Sequence, residues 1–301
     1  MKIYALVTGF LMLGTVVFAQ IPNGQAGKSA CTIEVDGIQR EFIVYQPSEY
    51  KSHLFPVVFM FHGTSGNGEK FFNISGWKEK ADKEGLIAVF PSALRYCIET
   101  DARRKHTTKW NDGKLEQMAC AGQELKDDVS FFREMVRYLA NYYPIDQKRI
   151  YASGFSNGAN FVGRLTLEAS DILAATSMSA GYLQDSGFNA KTPIPSYLTL
   201  GDLNLKEHTG ELPEWGESVI ETPGLHDKIM VMVDKLQLER FYHIEKTDSL
   251  LTFLFEQNKG DARNQFRFSL IRDLEHRFPN GRNHRLVAAD LFWDFFQRFS
   301  Q

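Results

Sequence analysis

Apolar positions along this chain alternate between two rhythms. Nearly unbroken apolar runs at 55–61, 86–90, 172–179 and 196–200 have the length and content of strands buried on both faces. Between them apolar residues recur at three- and four-residue intervals. Phe131, Phe132, Met135, Val136 and Leu139 predict a helix over 127–143, and Phe161, Val162 and Leu165 predict another just after residue 156. Further helices are expected over 76–84, 225–238 and 286–299, with late strands near 251–255 and 266–271. Residues 30–35 and 38–45, joined by Asp36-Gly37, read as an opening antiparallel hairpin. Strands alternating with helices imply an α/β fold whose mainly parallel sheet is covered on both faces and carries its binding groups at the carboxyl ends of the strands.

The pattern lapses in three places. Residues 3–18 are apolar behind Met1 and Lys2 and end at Val17-Phe18-Ala19, which reads as a signal peptide cleaved after Ala19. That leaves residues 20–301 as one domain in a secreted or periplasmic protein, with no membrane span expected in the mature chain. Residues 92–126 are polar without sustained periodicity and predict a long surface loop. Export allows disulfides, and since Cys97 and Cys120 flank that segment they are expected to staple it, leaving Cys31 in an early strand. Residues 204–224 are rich in Gly, Pro and Glu, and whether they cover a binding site stays open.

Charge narrows the function. A formal net charge of −3 and the shortness of the Lys/Arg runs give no basic stripe for nucleic acid. The glycine-rich stretch His62-Gly63-Thr64-Ser65-Gly66-Asn67-Gly68 is followed by Glu69-Lys70, not by the Lys-Ser/Thr pair of a phosphate-binding loop. An oxyanion loop after a buried strand fits it better.

The richest stretch is Gly154-Phe155-Ser156-Asn157-Gly158, which leaves a strand and enters a helix. A serine on such a turn tolerates nothing bulky two residues to either side, a demand Gly154 and Gly158 meet. It also lies at a helix N-terminus, where free N–H groups favour the negative charge of acyl transfer. A serine turn would explain the motif alone, so the partners matter. Serine needs a base, and the base an orienting group. Asp202 follows the strand at 196–200 and His276 follows the last strand, in the order Ser, Asp, His. His284 is the nearest rival base, and Glu207 an alternative acid.

The elbow, Asp127-Asp128-Val129, His62-Gly63, Trp77, Trp110-Asn111-Asp112-Gly113 and the ending His276-Arg277-Phe278-Pro279-Asn280-Gly281 together resemble the exported polyhydroxybutyrate depolymerase and feruloyl esterase group of α/β-hydrolases. The resemblance implies an α/β-hydrolase fold and a serine esterase without metal or cofactor. Ser156 would be the nucleophile, Asp202 the acid and His276 the base, with the backbone N–H groups of Thr64 and Asn157 as oxyanion donors. Its expected substrates are feruloyl or acetyl esters of polysaccharide, or short hydroxyalkanoate esters. Two departures stand out: Phe278 replaces a tryptophan beside the base, and Asp202-Leu203-Asn204-Leu205-Lys206 replaces Asp-Pro-Val-Val-Pro at the acid. Competing readings are a secreted binding protein on the same fold and a serine peptidase.

Overall fold

The computed structural model describes residues 26–48, 54–100, 103–184, 187–211, 214–257 and 264–301; the predicted signal peptide lies outside them. Among these residues no helix is long and apolar enough to cross a membrane.

One ten-stranded sheet organises the chain. Its strands are β1 (Gly27–Val35), β2 (Ile38–Gln46), β3 (Phe55–Phe61), β4 (Ile87–Pro91), β7 (Ile145–Phe155), β8 (Ala175–Ser179), β9 (Ser196–Gly201), β10 (Tyr242–Lys246), β11 (Leu250–Glu256) and β12 (Gln265–Ile271), in spatial order β1-β2-β4-β3-β7-β8-β9-β12-β11-β10. The run from β4 to β12 is parallel, and two antiparallel strands flank it on either side. The expected opening hairpin is present, its turn residue Asp36 at φ 51°.

The continuous apolar runs are central strands because both of their faces are covered. Along β3, Val57, Phe59 and Phe61 enter one core while Val58 and Met60 enter the other. The first core packs beneath α3 (Asp128–Tyr142), α4 (Asn157–Glu168) and α6 (Leu225–Lys235). The second packs beneath α1 (Gly68–Ile74), α2 (Trp77–Glu84) and α7 (Ala288–Phe296). Trp77 is fully buried there, stacked on Phe296 at 6.1 Å.

Three segments differ from expectation. Residues 92–126 are not simply a loop: β5 (Arg95–Thr100) and β6 (Arg103–Thr108) form their own two-stranded sheet over a small cluster of Tyr96, Ile98 and Leu115. Polar residues dominate β6 because it is largely exposed, so no apolar alternation announces it. Cys97 is bonded to Cys120 and Cys31 is a buried free thiol, as the spacing suggested. The start of the Gly-, Pro- and Glu-rich stretch 204–224, for which no element was expected, lies in helix α5 (Asp202–Thr209) directly off β9. The exposed edge strand β10 also carries too few apolar residues to be read from pattern.

Candidate active site

Ser156 sits where β7 turns into α4, with φ 53° and ψ −122°, a conformation non-glycine residues rarely adopt. Its neighbours hold it there: Ser156 N–H donates to the Ser179 carbonyl at 2.9 Å, and the Ser156 carbonyl accepts from Asn160 N–H at 3.0 Å. The glycines are required by close approach. A Cβ on Gly154 would lie 2.3 Å from the Gly158 carbonyl oxygen, and one on Gly158 would lie 2.3 Å from that of Phe61. Since Asn157 opens α4, its backbone N–H has no carbonyl within the helix to bind and remains available to a ligand.

The turn after β12 delivers His276. His276 Nε2 lies 3.0 Å from Ser156 Oγ, so the structure brings together two residues 120 positions apart. Part of the imidazole ring packs near Phe155, 5.2 Å between centroids, while the remainder faces solvent. Desolvation of the packed part lowers the His276 pKa below the ordinary histidine value; His208 adds to the shift and Glu207 opposes it. The rival His284 is occupied elsewhere. Its Nε2–H donates to the Arg272 carbonyl at 3.0 Å, and its Nδ1 accepts from Leu286 N–H at 3.1 Å, so it ties down the loop that follows His276.

The expected acid does not meet His276. Asn204 does, with its Oδ1 3.3 Å from His276 Nδ1. The physical reason is α5. Asp202 is its first residue, and at about 100° per residue a side chain two positions on projects from the opposite side of the helix. The Asp202 carboxyl is buried, and burial raises its pKa, with the backbone N–H groups of Leu203, Asp273 and Leu274 opposing the rise. One of its oxygens, Oδ1, has no partner. Asp202 therefore lies against the turn that leads into His276. Glu207, the alternative acid, adds charge near the imidazole.

The glycine-rich loop at His62-Gly63 is held by a buried network. His62 is fully buried, donates from Nδ1 to the Gly63 carbonyl at 2.7 Å and accepts at Nε2 from Ala93 N–H at 3.0 Å. These two bonds define the neutral Nδ1–H tautomer, and burial lowers its pKa to about 4. Trp110 Nε1 donates to the His62 carbonyl at 2.9 Å, and Trp110 N–H donates to Asn157 Oδ1 at 2.7 Å. Asp112 Oδ2 accepts from Asn157 Nδ2 at 3.1 Å and from Asn160 Nδ2 at 3.3 Å. Below it, the buried Asp128 accepts from Arg40 at 2.6 Å and from Asn111 N–H at 2.7 Å. Asp127 caps α3, and Asp128 anchors the Trp110-Asn111-Asp112 loop, a role helix position alone could not announce.

Thr64 is exposed and lines a cleft of about 210 Å³ beside His276, walled by Phe71, Ile74, Phe155 and Phe278 with Lys70 and Arg277 among its lining residues. Among the described residues no group of three His, Cys, Asp or Glu side chains is placed to hold a metal ion. A positioned serine–histidine pair at a helix N-terminus can carry out acyl transfer.

The parallel sheet, the strained serine elbow and the late histidine define the α/β-hydrolase fold. A solved acetyl xylan esterase from Aspergillus awamori superposes with a TM-score of 0.57 over 90% of this chain and 99% of that one; at 13% identity the likeness is one of fold. The family described as "Esterase PHB depolymerase" matches residues 41–194, and the chain belongs to it. Feruloyl esterase B of Talaromyces funiculosus is 27% identical over 181 residues, 60% of this chain and 46% of that protein. An oxidized polyvinyl alcohol hydrolase from a Sphingopyxis strain is 27% identical over 173 residues, 51% of this chain and 46% of that one. The chain thus spans about half the length of these relatives. The family match holds the elbow and the glycine-rich loop at His62-Gly63, whereas Asp202, Asn204 and His276 lie beyond it.

Proposed function

We propose that this protein is an exported serine esterase that hydrolyses carboxylic esters through an acyl-enzyme. The observation that carries the reading is the 3.0 Å approach of His276 Nε2 to Ser156 Oγ at a strained elbow. In this mechanism His276 takes the Ser156 proton as Oγ attacks the ester carbonyl, and the backbone N–H groups of Asn157 and Thr64 receive the oxyanion. The imidazolium then protonates the leaving alcohol, and water activated by the same imidazole releases the acid. The neutral state of His276 at ordinary pH, favoured by desolvation, suits the base.

Feruloyl or acetyl esters of polysaccharide, or short hydroxyalkanoate esters, are the proposed substrates. Support comes from the relatives' names and from the apolar wall of the cleft beside His276, suited to the non-polar part of an ester. The Cys97–Cys120 bond suits the oxidising compartment to which a leader ending at Ala19 would send residues 20–301 as one domain. The test is turnover of methyl ferulate, acetylated xylo-oligosaccharide and hydroxybutyrate oligomers by the mature protein beside Ser156→Ala. Wild-type hydrolysis of at least one ester, with a loss of several orders of magnitude in the variant, is expected. Equal turnover by the two proteins would refute the mechanism.

A further inference from the structure

We propose that Asn204, a neutral side chain, is the positioning residue of His276, so that this site works without a carboxylate against its imidazole. The inference rests on the serine esterase reading and deepens it.

The hydrogen-bond directions support one consistent chain. For Ser156 Oγ–H to donate to His276 Nε2, that nitrogen must be unprotonated, and the proton of the neutral ring then sits on Nδ1. Nδ1–H needs an acceptor, and Asn204 Oδ1 is 3.3 Å away. The amide is fixed in place by its surroundings. Asn204 is buried, its backbone N–H donates to the Leu274 carbonyl at 3.3 Å, and its own carbonyl accepts from His208 Nδ1 at 2.8 Å. Asn204 Nδ2 has no partner, so the amide's contribution to the imidazole is confined to its oxygen. Asp202 lies two residues earlier on α5, against the Asp273 and Leu274 backbone, from whose N–H groups an amide oxygen at this position would still accept.

A carboxamide oxygen orients the ring and selects the tautomer, but it stabilises the imidazolium of the transition state less than a carboxylate does, because charge-assisted hydrogen bonds are the stronger ones. Asn204→Asp preserves shape, supplies that charge and removes the orphan Nδ2 donor. It should speed acylation about tenfold. Asn204→Leu removes the acceptor, frees the ring to turn and should slow acylation on the order of a hundredfold. Asp202→Asn, which keeps the shape of a side chain that does not touch the imidazole, should stay within a few-fold of wild type.

The experiment is the second-order rate of labelling by a fluorophosphonate probe, followed from pH 5 to 9, because it reports the activated serine whatever the natural ester. A group that only holds the fold would leave the pH profile in place. A carboxylate on Nδ1 stabilises the imidazolium, so the acid limb of Asn204→Asp should move to higher pH than in the wild type. The other charges around the imidazole, Glu207 and His208 on α5, Glu275 and Arg277 on its own loop and Lys70 across the cleft, are the same in every variant. Faster labelling with a raised acid limb in Asn204→Asp, beside near-wild-type Asp202→Asn, is the result expected. Collapse of labelling in Asp202→Asn with no gain and no shift in Asn204→Asp would overturn the proposal and return the role to Asp202. The Ser156→Ala control keeps the two levels apart, since labelling of that variant at the wild-type rate would instead overturn the esterase reading beneath both.

Discussion

Acidification should loosen this protein through His62, and the size of the effect follows from its surroundings. Its folded pKa of about 4 lies below the ordinary 6.5 because the ring is buried, with the Lys70 charge adding to the shift and the hydrogen bond to the Gly63 carbonyl opposing it. The unfolded chain takes up a proton near pH 6.5 and the folded chain does not, so stability falls as pH drops from 6.5 towards 4. With 1.36 kcal/mol per unit, going from pH 7 to pH 5 removes about 2 kcal/mol through this one group. Carboxylates add their own dependence, and His62→Gln, which cannot titrate, isolates the histidine share. Urea unfolding of both proteins at pH 7 and pH 5, with midpoint and slope fitted separately, measures it. The variant should be the less stable at pH 7 but should lose about 2 kcal/mol less than wild type on acidification. Equal losses would show that His62 titrates normally and that its two hydrogen bonds do not hold the neutral ring.

Three further outcomes follow from the same packing. Asp128→Asn leaves the buried Arg40 guanidinium without its counter-charge and should cost about 3–5 kcal/mol in urea unfolding, whereas Arg40→Met with Asp128→Asn should recover most of that loss; a single variant within 1 kcal/mol of wild type, about the value of an exposed pair, would contradict it. Gly158→Ala should abolish fluorophosphonate labelling, because its Cβ would lie 2.3 Å from the Phe61 carbonyl and the elbow must move; wild-type labelling would mean the turn has slack. Reduction of Cys97–Cys120, whose partners are 23 residues apart, should lower stability by about 3 kcal/mol by freeing that loop in the unfolded chain, read as a drop in urea midpoint on adding reductant.

How much of this was legible beforehand varies with the kind of interaction. The central strands were visible because both of their faces are buried, and α3 and α4 because one face of each is. Ser156 and its two glycines were visible because a strained turn restricts residue type within five consecutive positions. His276 could be separated from His284 only by its place after a strand, and the structure gives the reason that choice mattered: His284 spends both nitrogens on backbone groups. β6 and β10 escaped notice because exposed strands need no apolar alternation. The hold of Asp128 on Arg40 and Asn111 could not be read at all, since it joins residues 88 and 17 positions apart.

The sequence by itself determined the alternation of strands and helices, the elbow at Ser156 and the glycine-rich loop at His62-Gly63, while the pairing of Cys97 with Cys120 was an expectation that the structure settled. Each is a local pattern or a spacing, and local patterns survive in one dimension. Which side chain meets the far nitrogen of His276 was decided only in three dimensions. Asp202 and Asn204 are two residues apart and both polar, so composition and order favour the acid. The start of α5 directly at the end of β9 turns one side chain towards the Asp273-Leu274 backbone and the other towards the imidazole. That angular difference comes from where a helix begins, and it decides which of the two side chains meets His276.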